Sequence, residues 1–228
     1  MPVEFVGHPL VELVPPVPPR AAFLSGLGLD PAARTLAVLP GSRPNEVAFI
    51  LPDLLEACRL LSNRLPGTQA IVARAPNLDD DLFRHAVGRG DLPLAVVEGQ
   101  TDAVLASADL ALTASGTATV QAALHDTPMV VVYRLSPLTY RLGRRFVKVS
   151  TFAMVNLIAG ERIVPELIQE AFTPDAVAAE ALAMVTDPVR IEAVREGLRR
   201  VRERLGGPGA SRRAAEAIVR ALEAHKGT

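Results

Sequence analysis

Residues 113–134 constrain the fold of this chain more than any other stretch, because they combine the end of a strand, a turn of small residues, a helix and a second strand. The pattern predicts a strand over residues 108–113, a helix over 118–124 and a wholly apolar strand over 129–133. Apolar runs of the last kind are typical of strands buried on both faces of a parallel sheet. Such units build nucleotide-binding sheets, in which the ligand lies at the carboxyl ends of the strands.

The same alternation of strand and helix recurs along the chain. Before the central unit it predicts strands over 33–39, 69–73 and 94–97, and helices over 47–61, 78–87 and 101–106. After it, the pattern predicts helices over 136–148, 165–169, 174–186, 188–205 and 210–225. The predicted fold class is therefore α/β: a Rossmann-like open parallel sheet with helices on both faces and a helical C-terminal tail.

The beginning of the chain has a different character. Residues 3–6 are predicted to form a short strand, and the proline-rich residues 11–20 are predicted to be extended. We accordingly divide the chain into a linker-like segment (1–20), a Rossmann-like domain (21–186) and C-terminal helices (187–228).

Composition excludes several classes of protein. The 228 residues carry a formal net charge of −1, so no strongly basic face is expected to bind nucleic acid. The one cysteine, Cys58, allows no disulfide framework, and the four histidines lack partners at metal-ligand spacing; we expect no metal and no cofactor. With no apolar run of bilayer length and no secretory pattern at the N-terminus, we expect a cytoplasmic protein.

Two loops carry the residues with the clearest chemistry. The first places Gly41, Ser42, Arg43 and Glu46 where a predicted strand meets a helix, and arginine's planar fork suits a diphosphate. The second, at residues 115–117, joins another strand to a helix. Either loop alone could be an ordinary capped turn, but together they favour phosphate binding at two helix N-termini. Neither matches the phosphate-loop or dinucleotide fingerprints, which disfavours a kinase or a dehydrogenase.

Members of the second loop are Ser115, Gly116 and Thr117. Gln121 lies four residues beyond Thr117, so it shares the same helix face and could reach a ribose diol, although the pattern alone favours an ordinary surface glutamine. Residues 136–148 predict a basic amphipathic helix, which can either pack on its own sheet or dock on anionic lipid.

Taken together, the motifs resemble the C-terminal, donor-binding half of lipid-A-disaccharide synthase, an inverting glycosyltransferase of the GT-B architecture with two facing Rossmann-like domains. The resemblance runs almost from end to end and rests on VGHP at 6–9, LPGSR at 39–43 with EV at 46–47, ASGTA at 114–118, PMVV at 128–131, NLIAG at 156–160 and VPELIQ at 164–169. Each motif alone is weak, whereas all of them in order are specific to the family.

The resemblance implies transfer of 2,3-diacylglucosamine from its UDP derivative to 2,3-diacylglucosamine 1-phosphate, which forms the β-1,6 disaccharide of lipid A and releases UDP. The expected partners are thus a UDP-sugar donor and a lipid-linked acceptor. Contact with the inner face of the cytoplasmic membrane through residues 136–148 is the alternative to packing of that helix on its own sheet. By the same resemblance, the two loops face the diphosphate and ribose, and Asn156 lines the donor pocket.

This sequence departs from the family pattern in two ways. Gln121 stands where the family usually has Glu, and an amide binds a diol less firmly than a carboxylate. The family's N-terminal half, with the acceptor site and the proposed base, has no counterpart here, so we identify no catalytic residue and expect the chain alone to be inactive. Two alternatives remain open for a protein partner: a separate N-terminal half, or a second copy of this chain in a homo-oligomer. Two remain open for the function: a non-catalytic relic that binds a partner or membrane, and another UDP-sugar enzyme such as a 2-epimerase.

Overall fold

A computed structural model describes residues 3–76, 78–87, 91–134 and 151–226. Within these residues, six strands form one parallel sheet in the order β3-β2-β1-β4-β5-β6. The strands are β1 Arg34–Leu39, β2 Thr68–Arg74, β3 Leu94–Glu98, β4 Leu110–Ala114, β5 Met129–Tyr133 and β6 Glu166–Ile168. The order reverses between β1 and β4, which is where open sheets of this kind bind their ligands.

Helices cover both faces of the sheet, as predicted. They are α1 Leu10–Leu13, α2 Arg20–Gly26, α3 Pro44–Arg64, α4 Asp80–Val87, α5 Thr101–Ala106, α6 Thr117–Leu124, α7 Met154–Ala159, α8 Pro174–Thr186, α9 Pro188–Leu205 and α10 Ala210–Lys226. α3 packs against α4 and α8, whereas α6 packs against α5, α7 and α9. The two groups bury the central strands, so that residues 36–38 and 130–132 are fully inaccessible to solvent.

Local capping explains why α8 and α9 begin where the sequence predicts. The Thr173 hydroxyl accepts a hydrogen bond from the Ala176 amide at 3.2 Å, and the Asp187 carboxylate accepts from the amides of Val189 and Arg190 at 2.9 and 3.1 Å. Each helix has proline in its first turn, where the missing N–H is not needed. Both predicted ranges, 174–186 and 188–205, are confirmed.

Three predicted elements differ from the structure. Residues 165–169 do not form a helix; most of them form β6, because their backbone pairs with β5, as in the 3.0 Å bond from the Val131 amide to the Pro165 carbonyl. Residues 3–6 form no strand, and the extended segment 11–20 begins inside α1. The predicted basic helix 136–148 lies outside the described residues.

The N-terminal segment lies against the C-terminal helices. The His8 amide donates to the Leu205 carbonyl at 2.8 Å, and Arg213 Nε donates to the Val6 carbonyl at 2.9 Å. Glu4 and Arg220 form an ion pair at 2.9 Å. Residues 4–8 are therefore attached to the last two helices by backbone and side-chain bonds.

Glu12 completes this attachment at the start of α10. Its carboxylate accepts from the Gly209 amide at 2.7 Å and from the amide and hydroxyl of Ser211 at 3.0 and 2.5 Å. The Ser211 hydroxyl and these amides favour the charged form, so they lower the pKa of Glu12 below its ordinary value.

In the described residues, no helix is both long enough and apolar enough to cross a bilayer.

Candidate functional site

A cleft of about 270 Å³ opens at the carboxyl ends of β1, β2 and β4. β1 and β4 are neighbours, with Leu39 opposite Thr113, so the loops that follow them stand side by side. Seven of the residues predicted from sequence line this cleft: Gly41, Ser42, Glu46, Ser115, Gly116, Thr117 and Gln121. The structure therefore brings the two predicted loops together at the point where the strand order reverses.

One wall of the cleft is the loop between β1 and α3. Gly41 has φ +118°, and a Cβ atom there would come within 2.9 Å of Glu46 Oε2, so the position requires glycine. Glu46 accepts from Arg43 Nη1 at 3.0 Å, and the Arg43 side chain is 77% exposed. Arg43 does not line the cleft, but it follows Gly41 and Ser42, which do, and its side chain is accessible to solvent.

The opposite wall is the turn between β4 and α6. Gly116 has φ +156°, and a Cβ atom placed there would meet no atom of the described residues within 4 Å, so these residues leave the space in front of its backbone open. The Ser115 hydroxyl donates to the Phe152 carbonyl at 2.9 Å, and the Thr119 hydroxyl donates to the Gly116 carbonyl at 2.8 Å. These bonds hold the turn in place.

Both helices that begin at the cleft lack a side-chain cap. α3 follows Arg43 and α6 follows Gly116, and neither of these residues caps its helix through a side chain. The first amides of a helix need hydrogen-bond acceptors and carry partial positive charge. Two such helix starts on adjacent strands are suited to an anion with several oxygen atoms, such as a diphosphate.

Sequence reasoning missed part of the lining. Ala75, Pro76 and Thr101 also contribute to the cleft, from the loop after β2 and the first turn of α5. Gln100 occupies the N-cap position of α5, and Thr101, the first residue of that helix, lines the cleft. The rule that ligands lie at carboxyl ends of strands, applied to the strand 69–73, could have identified Ala75 and Pro76.

A part-buried hydrogen bond between a histidine and an aspartate links two helices beside the cleft. His125 Nε2 lies 2.7 Å from Asp102 Oδ1, and these side chains are only 8% and 18% exposed. His125 follows the end of α6, and Asp102 is in the first turn of α5. The pair therefore fixes the distance between the helices that carry Gln121 and Thr101.

Asn156 is placed differently from the other predicted residues. It is 1% exposed, and it is not among the residues that line the cleft. Its Nδ2 donates to the Val164 carbonyl at 3.0 Å and to Glu166 Oε1 at 2.7 Å, while its Oδ1 accepts from the amides of Ile163 and Val164 at 2.9 and 3.0 Å. All of its hydrogen-bonding capacity is thus directed into its own segment.

The network around Asn156 nevertheless reaches the cleft. The Glu166 carboxylate accepts from the amides of Phe152 and Ala153 at 2.8 and 3.2 Å. The carbonyl of Phe152 is the group that accepts from the Ser115 hydroxyl. Asn156 and Glu166 therefore position the backbone segment on which one wall of the cleft rests.

Comparison with known proteins identifies close relatives by sequence. A family model described as lipid-A-disaccharide synthetase matches residues 1–220. The chain is 43% identical over 223 residues to the lipid-A-disaccharide synthase of Geobacter metallireducens, an alignment that covers 97% of this chain and 58% of that protein. The corresponding enzyme of Myxococcus xanthus is 42% identical over 96% of this chain and 57% of its own length. The chain thus spans less than two thirds of the length of these relatives.

Solved structures resemble this one in fold. WaaG, a glycosyltransferase involved in lipopolysaccharide biosynthesis, aligns with a TM-score of 0.58 at 17% identity over 89% of this chain and 52% of its own. The spinosyn rhamnosyltransferase SpnG, complexed with thymidine diphosphate, aligns with a TM-score of 0.53 at 20% identity over 84% of this chain and 45% of that chain. At these identities the comparison establishes the Rossmann-like fold found in GT-B glycosyltransferases.

Proposed function

Because this chain belongs to the lipid-A-disaccharide synthase family, we propose that it is the part of such an enzyme that binds the donor, UDP-2,3-diacylglucosamine. The reaction would transfer the sugar, with inversion, to 2,3-diacylglucosamine 1-phosphate and release UDP. The observation that carries the proposal is the cleft between β1 and β4, onto which two uncapped helix starts converge.

Each wall of the cleft has a role in this proposal. The backbone amides of residues 41–43, 116 and 117 would bind the diphosphate, because the partial positive charge of both helix starts is directed towards it. Arg43 would leave Glu46 and form a bidentate pair with a phosphate, since its side chain is exposed and its partner is a single surface carboxylate. Gln121, one turn into α6, would contact the ribose.

These groups would also assist departure of UDP. As the bond to the sugar breaks, negative charge develops on the diphosphate, and fixed amide dipoles with a guanidinium stabilise that charge without having to reorganise. Of the described residues that line the cleft, Glu46 is the one titratable side chain, and in this proposal it lies beside the diphosphate and not beside the acceptor hydroxyl. A base for the acceptor hydroxyl is therefore expected from another polypeptide region.

An apolar surface supports the presence of such a region. Ile218, Val219 and Leu222 on α10 are between 51% and 61% exposed, and the neighbouring Val3 and Phe5 are also exposed. The Glu4–Arg220 ion pair holds the two groups together. We propose that a polypeptide equivalent to the additional length of the relatives docks here and supplies the acceptor site. Co-purification with such a polypeptide, lost when Ile218 and Leu222 are both changed to Asp, would test this.

Calorimetry with UDP tests the donor site. We expect wild-type protein to release heat on binding, and Arg43→Ala to weaken binding about tenfold to a hundredfold, because a charge-assisted hydrogen bond contributes about 1.5–3 kcal/mol. Arg212→Ala is the matched control: this arginine is 78% exposed, pairs with a carboxylate one turn away and lies on α10. Absence of heat with millimolar UDP, or equal effects of the two variants, would contradict the proposal.

A further inference from the structure

Gln169 combines two unfavourable features at one position. Its backbone has φ +55°, in the left-handed region that side-chain-bearing residues seldom occupy. Its side-chain Nε2 is buried and has no hydrogen-bond partner among the described residues, and the residue as a whole is 9% exposed. A buried donor without a partner is normally avoided in folded proteins, and residues that retain such strain tend to cluster at functional sites.

The strand register places Gln169 on the same edge of the sheet as the cleft. Ala114 is opposite Val132, and Tyr133 is opposite Ile168. Gly116 follows β4 and Gln169 follows β6, each two residues beyond the level at which Ala114, Val132 and Leu167 pair. Two strand spacings of about 4.8 Å separate these strands, so Gln169 stands about 10 Å to the side of the proposed diphosphate site.

Surrounding residues hold this corner rigidly. Gln169 begins a 3-10 turn, and its carbonyl accepts from the Phe172 amide at 3.1 Å. Arg134 donates to the Phe172 carbonyl at 2.5 Å, lies 4.4 Å from the Phe172 ring centre and pairs with Asp53 of α3 at 2.6 Å. Because Phe172 and Arg134 fix this turn, the Gln169 amide cannot easily move to another partner within the protein. A bound ligand could instead supply the missing partner.

We propose that the Gln169 side-chain amide binds a hydroxyl of the donor's sugar ring, one subsite away from the diphosphate. This inference rests on the proposed function, because it requires a UDP-sugar bound between β1 and β4 with its sugar directed towards β5 and β6. A sugar hydroxyl both donates and accepts, so it complements an amide in either orientation. The residue would distinguish UDP-sugar from UDP.

The test compares two ligands on two variants of the whole chain. Gln169→Met keeps the length of the side chain and removes its polar atoms. We expect it to weaken binding of a short-chain UDP-2,3-diacylglucosamine about fivefold, in line with the loss of one hydrogen bond, and to change the Kd for UDP less than twofold. We also expect its Tm to be equal or higher, because an unpartnered buried amide has been removed. Gln100→Met, at an exposed position before α5, is the matched control.

Each outcome has one meaning. Selective loss of UDP-sugar affinity with an unchanged or higher Tm supports the inference. Equal loss for both ligands, a lower Tm with parallel losses, or no change in either affinity overturns it and assigns Gln169 a structural role, while the proposed function stands. Failure of wild-type protein to bind UDP overturns the proposed function, and the inference with it.

Discussion

Replacement of Asn156 tests the idea that a buried network, and not ligand contact, explains this residue. Asn156→Ala removes four hydrogen bonds and leaves the amides of Ile163 and Val164 without acceptors. At about 1 kcal/mol net for each bond, with some recovery if water enters, the free energy of unfolding should fall by about 3 kcal/mol. For a chain of this size, that corresponds to a Tm lowered by about 6–12 °C.

A second substitution at the same position separates hydrogen bonding from charge. Asn156→Asp preserves the shape and still accepts from both amides, but it places a second carboxylate beside Glu166, whose Oε1 is 2.7 Å from the present Nδ2. Both positions are buried, so like charges would raise the pKa of the introduced group. The folded state would then bind more protons than the unfolded state, and stability should rise as pH falls.

Urea titrations monitored by circular dichroism, at pH 7.5 and pH 5, provide the measurement. We expect Asn156→Asp to be less stable than Asn156→Ala at pH 7.5 and to recover at pH 5, whereas Asn156→Ala should show no such recovery. Both variants should also weaken UDP binding, because the network holds the Phe152 carbonyl against Ser115. A loss below about 1 kcal/mol for Asn156→Ala, or an Asn156→Asp variant insensitive to pH, would refute the reasoning.

Three further perturbations have defined outcomes. Gly41→Ala should weaken UDP binding in calorimetry, because φ is +118° and an added Cβ would lie 3.1 Å from Glu46 Cβ, so the loop must shift; Gly67→Ala, which also has positive φ but no described atom within 4 Å of an added Cβ, should bind UDP normally. Burial raises the pKa of Cys58 to about 12, so iodoacetamide at pH 8 should label it only after denaturation, as judged by mass spectrometry. Because the pKa of Glu12 is lowered by its bonds at the start of α10, its stabilising contribution should disappear as pH falls through the folded pKa; Glu12→Gln should have a smaller loss of Tm between pH 6 and pH 3 than wild type. Rapid labelling of native Cys58, or identical acid profiles for wild type and Glu12→Gln, would contradict these expectations.

Local signals predicted much of the fold. Helices α8 and α9 were predicted to the residue, because proline in the first turn and a preceding threonine or aspartate mark a helix start within a few residues of sequence. β6 was misassigned because its strand character comes from pairing with β5, more than thirty residues earlier, and a short apolar run has no periodicity that separates helix from strand. Strand pairing is a non-local property.

Local sequence likewise predicts some features of the candidate site and not others. The rule that ligands lie where parallel strands end was sufficient to select both loops of the cleft, since β1 and β4 are neighbours. For Asn156, resemblance suggested a pocket residue, while the structure directs its amide to Val164 and Glu166. The sequence contains no local sign of that network. The sequence could not predict the unpartnered amide of Gln169 either, because that feature depends on how the chain buries this side chain in three dimensions.

The pairing of β1 with β4 also affects the order of events during folding. β1 ends at Leu39 and β4 begins at Leu110, so the two walls of the cleft belong to chain segments that must meet across a long intervening loop. Contacts of that sequence separation form slowly, because the entropy of closing the loop is lost before the contact is gained. The segment with β1 to β3 and the segment with β4 to β6 can each form their own helices and strand pairs before the cleft exists. For the proposed UDP site, recovery of binding during refolding should therefore lag behind recovery of helical signal, and it would report the pairing of β1 with β4.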